Sequence, residues 1–419
     1  MPKRLLFVLL AASLLIPGYG YLRWRRSELR ALQTRTFLLR DGLRGESVTG
    51  SCGSNAGLAV AFAVGTGDDP PGRSGTVHVI ERILAAWAAA RPAEGIQRRV
   101  VSGSDYLMYS VEAPSEDILY ELGAFASRVA RPEVGPPELA RARAEVLADI
   151  ASRAGGDPVL TAETFAAESV VPSAGGGRRG GIASEVQSLE AGLLQSFWRA
   201  HLSGTNARVA IVSDIDSGEI ERRMESAFAA LPVGTPPTPR PPGPMTAHGT
   251  LVFGAAPSSV AWAVRAPAFG DSTFAAFLLL AARLETTPPA GGWTTTYDPL
   301  LDLNLLLILG QVRSGEAAEP AASRIRSEVV PLLERPLAAE DVGRAQREFA
   351  LLLGSNEAET CRKNPVALAV ARVRRAQLGI DWRRPAKALA DVREEDLKAA
   401  AGFFAPDRSA TVIAGGAIH

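Results

Sequence analysis

Seven prolines in the thirteen residues Pro232 to Pro244 (PVGTPPTPRPPGP) set the first limit on how this chain folds. Proline lacks a backbone N–H and fixes φ, so such a run neither propagates a helix nor sits inside a sheet. It makes a stiff, extended connector. The chain is thereby cut into two segments, each long enough to bury its own core. The reading assigns 31–231 to one domain, 232–248 to the linker and 249–419 to a second domain, with 1–30 set apart at the N-terminus.

The two segments end alike. LEAGLLQSFWRAHL (189–202) leads into ARVAIVS (207–213), and VREEDLKAAAGFF (392–404) leads into SATVIAG (409–415). An amphipathic helix feeding an apolar, β-branched strand, twice, predicts a duplicated α+β unit. Earlier in the first segment, AGLAVAFAVG (56–65) reads as a buried strand and TGDDPPGRSG (66–75) as turn chemistry. Thr76 to Ala90 reads as a helix, with Val77, Ile80, Ile83, Leu84 and Trp87 at helical spacing. YLMYSVEA (106–113) alternates as a strand, and helical periodicity returns at 115–130 and 136–153, the latter opening on Pro136-Pro137. Strands interleaved with helices of this length predict helices layered on one face of a sheet.

The N-terminus carries Lys3 and Arg4, then an uncharged apolar run from Leu5 to Leu22, then Arg23, Arg25 and Arg26. The run is at the lower limit for spanning a bilayer. It reads as a membrane anchor, with a cleaved signal peptide ending near Gly18 and Gly20 as the rival. Either places the chain in the cell envelope, with orientation left open because positive charge flanks both sides.

Composition restricts the chemistry. Forty-five basic residues balance forty-five acidic ones, so there is no electrostatic argument for a nucleic-acid partner. Only His78, His201, His248 and His419 are present as histidines, so a metal site would have to lean on carboxylates. Cys52 and Cys361 obey no C-x-x-C spacing and read first as small buried hydrophobes. A disulfide between them, requiring an oxidising compartment, is the other reading. The glycine-rich AGGGRRGG (174–181) lacks the G-K-[ST] ending of a phosphate loop and reads as a flexible connection. His201 and His248 are treated as bystanders.

The string GTGDDPPGRSGTVHVIER (65–82) resembles the signature G-[ST]-x-D-E-x-x-G-x-x-G-x-x-H-x-x-E-H of the pitrilysin/insulinase superfamily of metallopeptidases, which includes processing peptidases and core subunits of the cytochrome bc complex. The resemblance implies two homologous α+β domains, each a mainly antiparallel sheet with helices on one face. It also implies a zinc site: two histidines at i and i+4 on one helical face, a glutamate between them as general base, and a carboxylate from a later helix. By that match His78 takes the place of the first ligand and Glu81 that of the base. Arg82 replaces the second histidine, and a guanidinium has no lone pair to donate. In ARAEVLADI (142–150), Asp149 stands where the family has the later carboxylate.

One histidine, one displaced carboxylate and a fixed positive charge fall short of the three protein ligands that catalytic zinc needs. The expectation is therefore a chain without a cofactor, zinc entering only if the site is active. Arg82 is expected to pair with Glu81 or Asp149 in the metal's stead. The family's substrate-binding arginine and tyrosine are also lost: Arg283-Leu284 matches the start of their region, but Thr286 and Trp293 stand where they belong, with Tyr297 nearby. The resemblance then implies a noncatalytic partner of a zinc-bearing sister chain, or a self-dimer, with extended peptides as ligands. Two readings stay beside it: an atypical zinc endopeptidase and a purely structural assembly subunit. Peptides bind such chambers by adding a strand to a sheet edge. YLMYSVEA is the expected edge, and the lead-in that the family places there is replaced by VSGS (101–104).

Overall fold

A computed structural model of the chain describes residues 32–40, 42–172, 180–234, 244–246, 249–253, 257–286, 292–302 and 304–415. The apolar run 5–22, His248, His419, most of the Pro-rich connector and most of 174–181 lie outside the described residues.

Two sheets carry the architecture. The first contains β1 (Gln33–Leu38), β2 (Arg44–Thr49), β3 (Asn55–Phe62), β4 (Gln97–Ser102), β5 (Leu107–Pro114) and β6 (Ala207–Ser213), in the order β1-β2-β6-β3-β5-β4. The second contains β7 (Gly249–Phe253), β8 (Pro257–Arg265), β9 (Trp293–Thr296), β10 (Leu305–Gln311) and β11 (Ser409–Gly415), in the order β7-β11-β8-β10-β9. In each, the last strand of the half inserts between the first two strands of a shared five-strand pattern. It runs parallel to one (β2 or β7) and antiparallel to the other (β3 or β8). The remaining pairs are antiparallel, and β1 is an addition at one edge of the first sheet. The duplicated α+β unit read from the two matching ends is thus a duplicated sheet topology.

The central position of β6 and β11 explains their composition. Strands with ladders on both sides and packing on both faces read as continuous apolar runs, and every residue of SATVIAG is buried.

Helices of eight or more residues are α1 (Thr76–Ala89), α2 (Ile118–Val129), α3 (Pro136–Ala151), α4 (Pro158–Val170), α5 (Ala191–His201), α6 (Ser217–Phe228), α7 (Phe274–Thr286), α8 (Ala318–Leu333), α9 (Ala339–Glu348), α10 (Pro365–Leu378) and α11 (Glu394–Ala401). On the first sheet, Val77, Ile80, Ile83 and Leu84 of α1 share one core with Leu58, Val60 and Phe62 of β3. On the second, α7 is buried along almost its whole circumference over Trp262 and Ile308.

The expectation of helices on one face needs an addition. The opposite face of each sheet is covered by a helix from the other half. From the first half, α4 lays Ala162, Ala166, Ala167 and Val170 on Ala261, Ala263, Ala410 and Val412 of the second sheet. From the second half, α10 lays Leu368, Ala369 and Val373 on Ala59, Ala61, Ala210 and Val212 of the first. Alanines on both sides let helix and sheet approach closely, and the exchange ties the halves into one unit.

Polar contacts reinforce α10. Arg372 pairs with Glu46 on β2 at 2.6 Å, and Arg374 donates to Asp105 at 3.0 Å while stacking 4.2 Å over the Tyr106 ring.

Two sequence readings are corrected. The cysteines are not separate buried thiols: Cys52, in the β2–β3 connection, and Cys361, just before α10, form a disulfide across 309 residues with Cα atoms 4.8 Å apart. Their separation along the chain hid what the helix exchange brings together. YLMYSVEA is not an edge either. β5 pairs with β3 on one side and β4 on the other, so the edge strand is β4, QRRVVS. Alternation reports which face of a strand is buried and says nothing about its ladder neighbours. The charged residues Arg98 and Arg99 on β4 suit an edge.

Candidate functional site

The site forms where α1 meets the edge strand, α3 and the turn before Ile182. Its start is set by a carboxylate. Asp69 accepts from the backbone N–H of Gly75 at 2.6 Å and of Val77 at 2.9 Å, filling two of the donors that a helix N-terminus leaves unpaired. Burial pushes its carboxyl up to about 7, against those two donors. Gly75 at φ +87° makes the turn into α1, a conformation that an L side chain rarely adopts. Ser74 extends the clamp, donating its N–H to Glu185 at 2.7 Å and accepting from the Ile182 N–H at 2.9 Å.

His78 and Arg82, one turn apart on α1, fall on the face that meets Asp149 of α3. Arg82 Nη2 donates to Asp149 Oδ2 and lies 3.4 Å from His78 Nε2. His78 Nε2 is itself 3.4 Å from Asp149 Oδ2, and His78 Nδ1 is 3.4 Å from the Gly180 carbonyl. His78 is buried, while Arg82 and Asp149 each remain about a third exposed. Burial lowers the His78 pKa; Glu81 and the Gly180 carbonyl raise it in part, and Arg153 and Arg82 lower it further. Arg153, in the turn after α3, packs so closely on Gly180 that a Cβ there would lie 2.1 Å from its Nη1.

Glu81 is occupied elsewhere. Its Oε2 accepts from both the backbone N–H (3.1 Å) and the hydroxyl of Ser102, the last residue of β4. Of the two carboxylates expected to answer Arg82, Asp149 is therefore the partner and Glu81 is tied to the edge strand.

These residues do not fit zinc. An ion bonded to both His78 Nε2 and Asp149 Oδ2 would need the space that the Arg82 guanidinium fills, and its charge would stand against two guanidinium groups. Among the described residues no group of three or more His, Cys, Asp or Glu side chains is arranged to hold a metal.

The second-half residues serve packing. Arg283 is buried and donates to Asp341 at 2.5 Å and to the Arg335 and Pro336 carbonyls. Trp293 donates to Glu328 at 2.9 Å, and Thr286 bonds back to the Ala282 carbonyl. The Tyr297 ring packs edge-on against Phe277 and Phe349. His201 ends α5 with its ring against Phe197.

Sequence reading missed Asp69, Ser102 and Arg153 as parts of the site. Asp69 was legible in the acidic pair ahead of the motif, whereas Ser102, though inside VSGS, carried no signal of its own. Nothing local pointed to Arg153.

Comparison with known proteins follows the same lines. Residues 188–330 match the family described as "Peptidase M16 inactive domain", a span that runs from α5 across the connector into α8 and does not reach α1 or α3. No curated protein matches. Among solved structures, a protease from Helicobacter pylori superposes with a TM-score of 0.78 at 16% identity, over 91% of this chain and 99% of that one. A peptidase M16 inactive domain from Pseudomonas fluorescens gives 0.73 at 19% identity, over 92% and 98%. A chain of Complex III2 from Candida albicans gives 0.68 at 12% identity, over 91% and 95%. The resemblance to the pitrilysin/insulinase superfamily is borne out, in a two-sheet α+β fold that extends over nearly all of this chain. Among the described residues, no helix is long and apolar enough to cross a membrane.

Proposed function

We propose, taking the M16-type peptidase fold as the premise, that this chain is a noncatalytic homologue acting as partner and substrate-chamber subunit of a zinc-bearing sister chain. The observation that carries this reading is the Arg82 guanidinium lodged between His78 and Asp149, where a metal would need both donors. The second support is the engagement of Glu81 by Ser102, which occupies the carboxylate that would activate water. With a guanidinium in the ion's place and Glu81 Oε2 bonded to Ser102, what the fold retains is shape: a sheet edge at β4 to which an extended peptide adds a strand.

A self-dimer is the alternative pairing. A structural assembly subunit is the second reading, favoured by the likeness to a chain of Complex III2. In either case the chain resides in the cell envelope, anchored or exported through residues 5–22. The Cys52–Cys361 disulfide supports that address, because such bonds persist in oxidising compartments.

The test is co-purification with a sister chain carrying an intact H-x-x-E-H, followed by peptidase assays with and without this chain. The partner reading requires the sister's activity to fall when this chain is withdrawn. A sister chain fully active alone overturns it. Chelator-sensitive cleavage of unstructured peptides by this chain alone would establish an atypical zinc endopeptidase instead.

A further inference from the structure

We propose that Thr250, Val252, Arg326 and Val330, on the helix-bearing face of the second sheet, form the docking place for an amphipathic helix of the partner chain, with an acidic residue on that helix answering Arg326. The inference rests on the partner reading and gives it a surface and a chemistry.

The duplication shows what belongs on this face. The sheets share one strand order, β2-β6-β3-β5-β4 and β7-β11-β8-β10-β9, so β2 corresponds to β7 and β6 to β11. Their ladders match: Gly45 pairs with Val209 and Ser47 with Ile211 in the first half, Thr250 with Thr411 and Val252 with Ile413 in the second. In the first half α6 covers that row of β2. A Cβ at Gly45 would lie 2.6 Å from the Met224 sulfur, and Ser47 donates to the Ser217 hydroxyl at 2.9 Å. Ile220, Met224 and Phe228, successive at i+4, bury the inner stripe of α6 in the core it shares with Leu122 and Phe125 of α2. Among the described residues nothing takes the place of α6 in the second half. Ser47 is fully buried, whereas its counterpart Val252 is 51% exposed.

The wall of the open face is α8, the counterpart of α2. Val330 stands one turn from Arg326 on that helix and is also exposed. Two valines left open where the other copy is covered gain by burial under a helix.

Charge names the missing group. Arg326 Nη2 donates to the Thr411 hydroxyl at 2.8 Å and to that of Thr250 at 3.4 Å, and its guanidinium lies 5.8 Å from the Trp262 ring centre. It meets no carboxylate among the described residues, so an aspartate or glutamate of the incoming helix is the complementary partner. Because Thr250 corresponds to Gly45, a helix laid as α6 is would carry that acid where α6 has Met224. An identical chain is a poor source: α6 could dock on a second copy only by exposing Ile220, Met224 and Phe228, all buried in its own half.

The probe is a fluorescein-labelled peptide with the sequence of residues 214–229 carrying Met224→Glu, titrated into the full-length protein and followed by anisotropy. Saturable binding is expected, and the peptide with methionine retained should bind more weakly. Val252→Arg, at an exposed position, should keep the wild-type thermal midpoint and weaken binding about tenfold or more. Absence of saturable binding, or equal binding to Val252→Arg, overturns the docking face. A dimer of this chain that Val252→Arg dissolves would give the face to a second copy and overturn the partner chain as occupant.

Co-purification with the H-x-x-E-H sister chain separates the two readings. Val252→Arg should recover far less sister chain than wild type does. Equal recovery overturns the docking face and leaves the partner role standing. A sister chain fully active alone, yet captured by wild type and not by Val252→Arg, supports the docking face while ending the partner role in catalysis.

Discussion

Gly57 on β3 and Pro365 at the start of α10 meet backbone to backbone: a Cβ at position 57 would lie 2.3 Å from the Pro365 carbonyl carbon. The two residues belong to different halves, and their approach is what lets the exchanged helix lie flat on the first sheet. Alanine at 57 would have to push α10 away along its whole first turn. Gly57→Ala is expected to lower stability by about 1–3 kcal/mol and to increase proteolytic cutting in the segment 357–378. An unchanged denaturation midpoint would show that α10 yields without cost.

The disulfide lies at the same junction. Cys52 and Cys361 are both buried, and their bond closes a loop of 309 residues. Cross-linking so long a loop restricts the unfolded chain, with a typical effect of about 2–4 kcal/mol. Cys361→Ser should unfold at lower denaturant than wild type, and wild type under reducing conditions should approach the variant. Thiol titration of the denatured, unreduced protein should find no free thiol; two reactive thiols there would refute the bond.

Beneath the edge strand, Glu121 is fully buried and receives Arg98 at 2.7 Å, Arg91 at 3.0 Å and the Tyr109 hydroxyl at 2.9 Å. Burial pushes its carboxyl up, but those donors together outweigh it and hold the pKa below the usual glutamate range. Removing the charge while leaving the Arg98 guanidinium buried would strand a cation. Glu121→Gln is expected to cost about 3–5 kcal/mol, the usual penalty for breaking one side of a buried pair. Because β4 carries Arg98, the same variant should weaken any peptide binding at that edge, measured by fluorescence anisotropy of a labelled unstructured peptide.

Glu285 titrates in the opposite sense. Burial, a hydrogen bond with Glu348 and the charges of Glu348 and Asp298 raise its carboxyl to about 8, the Tyr297 N–H lowering it in part. The folded state therefore keeps a proton that the unfolded chain loses near the ordinary value of 4.5. Its contribution to stability is full below about pH 4.5, declines as pH rises and is gone above about pH 8. Glu285 is only half-buried, so the effect is of the order of 1 kcal/mol after solvent screening. Glu285→Gln should flatten this part of the pH–stability curve; a slope equal to wild type would assign it to other groups.

Much of the secondary structure was legible because it is local. The spacing of Val77, Ile80, Ile83 and Leu84 announces α1, and the β-branched runs 207–213 and 409–415 coincide with β6 and β11. The candidate site was legible on one side only. His78, Glu81 and Arg82 sit within five residues of one another, and each reports its chemistry by type and spacing. Ser102 and Arg153 have no such signature, since a hydroxyl and a guanidinium occur everywhere and only packing makes these two part of the site.

By itself, the sequence determined that the chain repeats one α+β unit and that a guanidinium stands where a second imidazole would be needed. These follow from short-range facts: backbone propensity, side-chain periodicity and the absence of a lone pair on arginine. Tertiary structure alone decided that Arg82 answers Asp149 while Glu81 answers Ser102, that β4 and not β5 forms the edge, and that Cys52 meets Cys361 beneath an exchanged helix. Each of these is a choice among distant partners. It is made by burying two sheet faces against helices from opposite halves, a long-range demand that no local pattern encodes.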